Sequence, residues 1–372
     1  MTHRSMSKLM AAVLIAGLTL AGTGGMNAQI LAVEAGEKPE AQIRPCVLPE
    51  DLLEAVALRR GKTVLSKLAA KMQPGTWVTF SSAKRPKELM YVKNSHRTRF
   101  HIAGWTDDGH WNSRTGQFLY YGFRQAHKFI AYSEEKNEWR VIPKQYKWPG
   151  KTAMGHIYGG NAFNSAKGIF YNYATGSNRV YAYDLARDKW SDLPALPFGR
   201  GDQGSSLVYF PELGGLVHHR SAGKGGVLHL YREKTKSWSV LGRSQVCGYH
   251  SMARYNPCLK EMLIAGGDRS RNVVEKIDSQ GKITRMKDAP VEMTIQRDHL
   301  VVDPVSGRYL MFNNMFRILH DFDSRTNKYK KAEGYSRTKF GRYEMPVPAS
   351  IPEYGVIMLV DDKIRLYKHK TD

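Results

Sequence analysis

Cysteine is scarce in this chain, three in 372 residues, and acidic residues are outnumbered, 34 against 56 lysines and arginines. Three cysteines are too few for a small disulfide scaffold, and a hydrophobic share of 42% is too high for a disordered polyanion binder. No His-x3-His, Cys-x2-Cys or acidic calcium loop occurs, so no familiar metal motif is present and no cofactor is expected. Long hydrophobic runs are also missing. The one apolar run, Leu9 to Gly22, falls short of the roughly 20 residues a membrane span needs.

That run follows Arg4 and Lys8 and precedes small residues, with Val33 three positions before a cut after Ala35. This is the layout of a secretory signal, so residues 1–35 are expected to be removed and the protein exported, periplasmic or extracellular, without stable membrane insertion. The net charge of +22 is the other strong feature. A surplus of that size repels itself in the folded state and suggests an anionic partner. Export argues against nucleic acid and points to an acidic polysaccharide. A monomer is expected.

Residues 36–75 read as a leader carrying one amphipathic helix. Leu52, Leu53, Val56, Leu65 and Leu68 recur at three- and four-residue steps from Asp51 to Met72, with Pro74-Gly75 as the stop. From residue 76 onward the pattern is short β-type runs between Gly, Asn-Pro and Asp-Pro turns, an all-β signature.

A repeat runs through it. Tyr132/Trp139, Tyr183/Trp190, Tyr231/Trp238 and Phe322/Tyr329 each place two aromatics seven positions apart around a polar turn, and Ile277/Ile283 is a copy one residue shorter. Steps of 45 to 51 residues between copies, with four strands in each, indicate propeller blades. The last unit, Met345 to about His369, holds three strands. Thr76–Phe80 resembles the missing outer strand, so the N-terminal strand is expected to close a six-bladed ring; a seventh blade within Phe80–Phe100 is the alternative.

With the Tyr-x6-Trp pairs, Gly266-Gly267 after Met262–Ala265 and the ending YAYDLARDKWSDLP, the chain from Trp77 onward resembles the kelch or galactose-oxidase-like propeller superfamily. It is also similar to exported bacterial kelch-type proteins marked by WNSRTGQFLYYG, FPELGG and YGVIMLV followed by LYKH. The resemblance implies a fold; propellers of this kind serve as enzymes, lectins and scaffolds alike. Copper-radical oxidation of the galactose-oxidase type needs a Cys–Tyr crosslink with two His and a second Tyr, and no matching set stands out around Cys247 and Tyr249.

In a propeller, the loops entering the inner strands share one face with the loops joining second and third strands. The entering loops carry Arg99, His156, Arg200 with Asp202, Tyr249 with His250, Arg297 with Asp298 and His299, and Arg342 with Glu344. The other loops on that face add Arg179, His218, His219, Arg220, Arg269 and Arg271. Guanidinium groups hold carboxylates and sulfates by two-point contacts, so a cationic funnel is expected, with Arg297, Arg200, Arg220, Arg342, His156 and Arg99 as substrate-binding residues. The competing reading makes these arginines braces between blades.

β-Elimination on a uronate needs a base, an acid and a cation for the sugar carboxylate, and His250, Tyr249 and His299 are the catalytic candidates. A propeller that binds a glycan or an envelope partner without chemistry fits the same charge. Asp202, Asp298 and Glu344 are the carboxylates available to a hydrolase, each near an Arg that would pair with it. Cys247 and Cys258 flank one inner strand, too far apart to bridge, which leaves at least one thiol free or intermolecular.

Overall fold

The computed structural model describes residues 46, 48–81, 91–92, 100–101, 106–123, 127–142, 157–198, 204–221, 225–295, 298–313, 318–333, 335, 346–361 and 363–371. They lie in the unit Ile43–Asp372. Six four-stranded antiparallel sheets form the blades of a β-propeller. Blade 1 comprises His110–Asn112, Gln117–Phe123, His127–Ser133 and Glu138–Val141. Blade 2 holds Asn161–Asn164, Ile169–Tyr173, Val180–Asp184 and Lys189–Asp192; blade 3 holds Ser206–Phe210, Gly215–Arg220, Gly226–Arg232 and Ser237–Ser244. Blade 4 runs Ser251–Asn256, Glu261–Gly266, Val274–Ile277 and Ile283–Arg285; blade 5 runs His299–Val302, Tyr309–Asn313, Ile318–Asp323 and Lys328–Ala332.

Blade 6 consists of Val347–Ile351, Val356–Val360 and Ile364–Tyr367, completed by Trp77–Phe80 from the other end of the chain. Trp77 sits opposite Tyr367 and Val78 opposite Leu366, so the ring closes as the sequence predicts. The Trp77 and Tyr367 rings stack at 4.3 Å, which fixes the register of that closure. Where a seventh blade was the alternative, the described residues hold a two-residue ladder, Tyr91–Val92 against Phe100–His101.

The aromatic repeat has a simple cause. Tyr132/Trp139, Tyr183/Trp190, Tyr231/Trp238 and Phe322/Tyr329 are directly opposed across the outermost strand pair of their blades. In each turn the residue two before the second aromatic, Asn137, Asp188, Lys236 or Asn327, takes φ of 51 to 56°. That left-handed residue lets a short turn reverse the chain and bring the two rings into contact, with centroids 4.3 to 5.3 Å apart.

Among the described residues, six apolar clusters fill the gaps between neighbouring blades. Leu310, Phe312, Ile357 and Tyr367 seal blades 5 and 6, and Leu230, Val217, Met262 and Ile264 seal blades 3 and 4. The cluster between blades 6 and 1 also takes in Leu65, Ala69 and Met72 of the leader.

The leader itself departs from expectation in its helix. Instead of one helix it forms two, α1 (Glu50–Ala57) and α2 (Val64–Lys71). The break comes at Gly61, whose φ of 73° is left-handed, and at Thr63, whose hydroxyl accepts a bond from the Ser66 amide at 3.0 Å and starts a new helix. The apolar stripe still works, because Leu52, Val56, Leu65 and Ala69 all bury. Cys46 is bonded to Cys258, Cα atoms 4.7 Å apart, and Cys247 is the free, buried thiol that the odd count requires. Spacing within the propeller says nothing of this partner, since the leader's path is set by α1 and α2 docking. Arg59 reaches Glu134 of blade 1 at 3.2 Å and Glu353 of blade 6 at 3.6 Å. Among the described residues no helix is long and apolar enough to cross a membrane.

Candidate functional site

Blade 4 supplies the best-defined group on the entering-loop face. Its entering loop, Cys247-Gly248-Tyr249-His250, folds onto the loop after its second strand: Asp268 N–H donates to the Tyr249 carbonyl at 2.8 Å, and Cys247 N–H to the Ser270 hydroxyl at 2.8 Å. Gly248 has φ of 85°, and a Cβ there would lie 2.8 Å from the Arg269 amide nitrogen, so only glycine permits the loops to approach this closely.

The loop holds His250 in the left-handed region at φ 67°, an arrangement that costs energy in a residue with a Cβ. Its ring is fixed on both sides. The Asp268 carboxylate accepts from Nδ1 at 2.9 Å and 3.0 Å, and the Tyr158 ring lies 5.4 Å away. Engagement of Nδ1 by a carboxylate selects the tautomer in which Nε2 is the basic nitrogen. His250 is 8% exposed, whereas Tyr249 beside it is 50% exposed. Together they put a basic imidazole, an orienting carboxylate and a phenol in one short loop pair.

Blade 3 lies next to this group, joined by the bond from Gly248 N–H to the Ser221 carbonyl at 2.7 Å. The residue before Ser221 is Arg220, whose guanidinium rests over the Phe198 ring at 4.6 Å. His218 and His219 alternate to opposite sheet faces, as their adjacency requires. His218 faces Tyr173 and Phe198, with ring centroids at 4.6 Å and 5.7 Å, and His229 opposite it in register. His219 faces blade 4, donating from Nε2 to the Val246 carbonyl at 3.1 Å. Burial lowers the pKa of both, that of His219 to about 4.

The other predicted residues divide. His299 is described, and it is buried: it opens the inner strand of blade 5, its Nε2–H donates to the Pro346 carbonyl, and burial lowers its pKa to about 4. Asp298 accepts the Thr294 amide at 2.9 Å and closes its own loop. Arg271 pairs with Glu292 at 2.7 Å, and Arg179 with Asp192 of the same blade at 3.8 Å. Arg99, His156, Arg200, Arg297 and Arg342 lie outside the described residues, as do Asp202 and Glu344.

Sequence reasoning missed Asp268, although it directly follows the Gly266-Gly267 pair that marks the end of the second strand. It also missed the centre of the ring. There Arg254 of blade 4 meets Asp107 at 3.1 Å and Asp108 at 3.4 Å, both buried and both preceding blade 1. Desolvation raises the pKa of each carboxyl against the pull of the guanidinium. On the side of the ring that carries Pro211, Pro257 and Pro352, a cavity of about 270 Å³ is lined in part by Cys46, Leu48 and Leu52 of the leader.

No protein-family model matches the sequence, and no curated protein matches it. Among solved structures the chain is similar to the crystal structure of a nidogen/laminin complex, at 10% identity over 62% of this chain and 81% of that one, with a TM-score of 0.45. It is likewise similar to TolB from Acinetobacter baumannii, at 12% identity over 61% of this chain, with a TM-score of 0.43. The chain spans about half of that TolB chain, 54%. These likenesses carry no argument about activity, and the assignment as a six-bladed β-propeller rests on the sheet order and closure described above.

Proposed function

We propose that this is an exported propeller of kelch type that binds an acidic polysaccharide, uronate-bearing or sulfated, at its entering-loop face. The observation that carries the reading is the His250–Asp268 pair at 2.9 Å beside exposed Tyr249, set in a chain of net charge +22. The repeated Tyr-x6-Trp pairs and Gly266-Gly267 support the kelch assignment, and the basic N-terminal segment with its apolar run supports export.

The pair favours cleavage over binding alone. A histidine whose Nδ1 is held by a carboxylate is arranged to accept a proton at Nε2, and a neighbouring phenol can return one. In β-elimination Nε2 of His250 takes the proton from carbon 5 of a uronate. The released electron pair forms the carbon 4–carbon 5 double bond, the bond from carbon 4 to the glycosidic oxygen breaks, and Tyr249 protonates that oxygen. An arginine on the same face neutralises the sugar carboxylate while charge builds up on it.

The test is ultraviolet absorbance of the unsaturated product while the protein is mixed with a panel of uronate polysaccharides. Absorbance should rise with wild type, fall at least about 100-fold in rate in His250→Ala, and fall less in Asp268→Asn. If absorbance stays flat while the polysaccharide is retained, cleavage is ruled out and the protein is a binding propeller.

A further inference from the structure

Between blades 2 and 3, on the same face, lies a second group of cation-forming side chains with no counter-charge among the described residues. His218 is 0% exposed and His229 5% exposed, on adjacent strands in direct register, with ring centroids 6.0 Å apart. Both ring nitrogens of His218, Nδ1 of His229 and Nε of Arg220 are buried without a hydrogen-bond partner. A buried polar atom left unsatisfied destabilises the fold, so four in one place call for a missing partner.

The surroundings say what kind. Phe198 touches all three side chains, at 5.4 Å from the His229 ring, 5.7 Å from His218 and 4.6 Å from the Arg220 guanidinium. Arg220 and His218, on the neighbouring strand, are the charged and titratable groups beside His229; the next strand places Val240 opposite it, and the segment between blades 2 and 3 offers Phe198. Among the described residues no third ligating side chain joins the two imidazoles, and the adjacent guanidinium repels a metal cation. An oxyanion has the opposite preference, because its oxygens accept from guanidinium and imidazole N–H alike.

We infer that Arg220 and His229, backed by His218, form a subsite for a single oxyanion, the carboxylate or sulfate of an acidic sugar, and that His229 takes up a proton as the anion binds. The inference deepens the acidic-polysaccharide reading and rests on it for the source of the anion. Burial and the nearby guanidinium hold His229 neutral when the site is empty. A bound anion removes that bias, so affinity rises as pH falls.

The experiment is calorimetric titration of the full chain with glucuronate and with inorganic sulfate, at about pH 7.5 and about pH 5.5, in two buffers of different ionisation enthalpy. Binding should be at least about 10-fold tighter at the lower pH, with close to one proton taken up per anion. His229→Gln should abolish the uptake and Arg220→Gln should weaken binding at both pH values. Should His229→Gln fail to fold, Arg220→Gln at the rim still carries the test. Affinity equal at both pH values, or proton uptake that survives His229→Gln, overturns the subsite. Preference for sulfate over glucuronate, or the reverse, identifies which oxyanion it serves. If small anions bind with proton uptake but no polysaccharide is retained, the subsite stands and the polysaccharide reading falls. If a polysaccharide binds while small anions show no linkage, the reverse holds.

Discussion

Arg254 and Asp107, 147 residues apart in sequence, meet across the middle of the propeller at 3.1 Å. Arg254 also donates to the Leu300 carbonyl at 3.0 Å, and Asp107 accepts the Leu300 amide at 3.3 Å, so blades 1, 4 and 5 share one polar junction. Opposite sides of a ring joined only through neighbours would be coupled weakly. This junction couples them directly.

Removing the cation strands two buried carboxyls. Arg254→Met should therefore lower stability by about 3–5 kcal/mol in urea unfolding, and adding Asp107→Asn and Asp108→Asn should recover most of that loss. If the single substitution proves neutral, the junction contributes nothing to stability.

The Cys46–Cys258 bond fastens the leader to blade 4 while Arg59 fastens it to blades 1 and 6. Thiol titration should find no reactive cysteine in the folded protein and one, Cys247, after denaturation without reductant. Cys46→Ser should cost about 2–5 kcal/mol. Three thiols in the unreduced, denatured protein would show that the bond is absent.

Acid should destabilise the fold through its buried histidines. His219 and His299 titrate at about 4 in the folded protein against 6.5 as the ordinary value, both because burial disfavours the imidazolium. A depressed pKa means the unfolded chain binds more protons, so the neutral-form advantage is full above 6.5 and is lost as pH falls from 6.5 to about 4. Each contributes about 3 kcal/mol over that window. The melting temperature, followed against pH, should fall through this range, and His299→Asn should make the fall shallower; a flat profile would contradict it.

Ring closure depends on Trp77–Phe80 covering the edge Ile364–Tyr367. Deleting residues 1–81 should leave that edge unpaired and produce dimers or aggregates by light scattering. A well-behaved monomer with unchanged melting would mean that closure does not matter.

The blades were readable because their signal is local: an aromatic, a six-residue turn and a second aromatic, repeated by the same cross-strand pairing in Tyr183/Trp190 and Tyr231/Trp238. Closure was readable too, since a three-stranded last unit and a lone first strand leave one arrangement. The helix break at Gly61 was hidden by an apolar stripe that continues in phase on either side. Cys46–Cys258 and Arg254–Asp107 were hidden for a different reason: both join segments whose approach is decided by the closed ring, and no spacing along the chain encodes it. His250 and Tyr249 could be nominated from their loop, whereas Asp268 came into view only when two loops of one blade were seen to fold together.

Recognition of an acidic polysaccharide by the entering-loop face is tested by the affinity of the purified protein for immobilised polyuronate as salt is raised. Tight retention at low salt is expected, weakening steeply as salt screens the arginines and falling about 10-fold or more in Tyr249→Ala and in Arg220→Gln. Absence of retention at low salt, or retention that neither substitution alters, would contradict the assignment of this face.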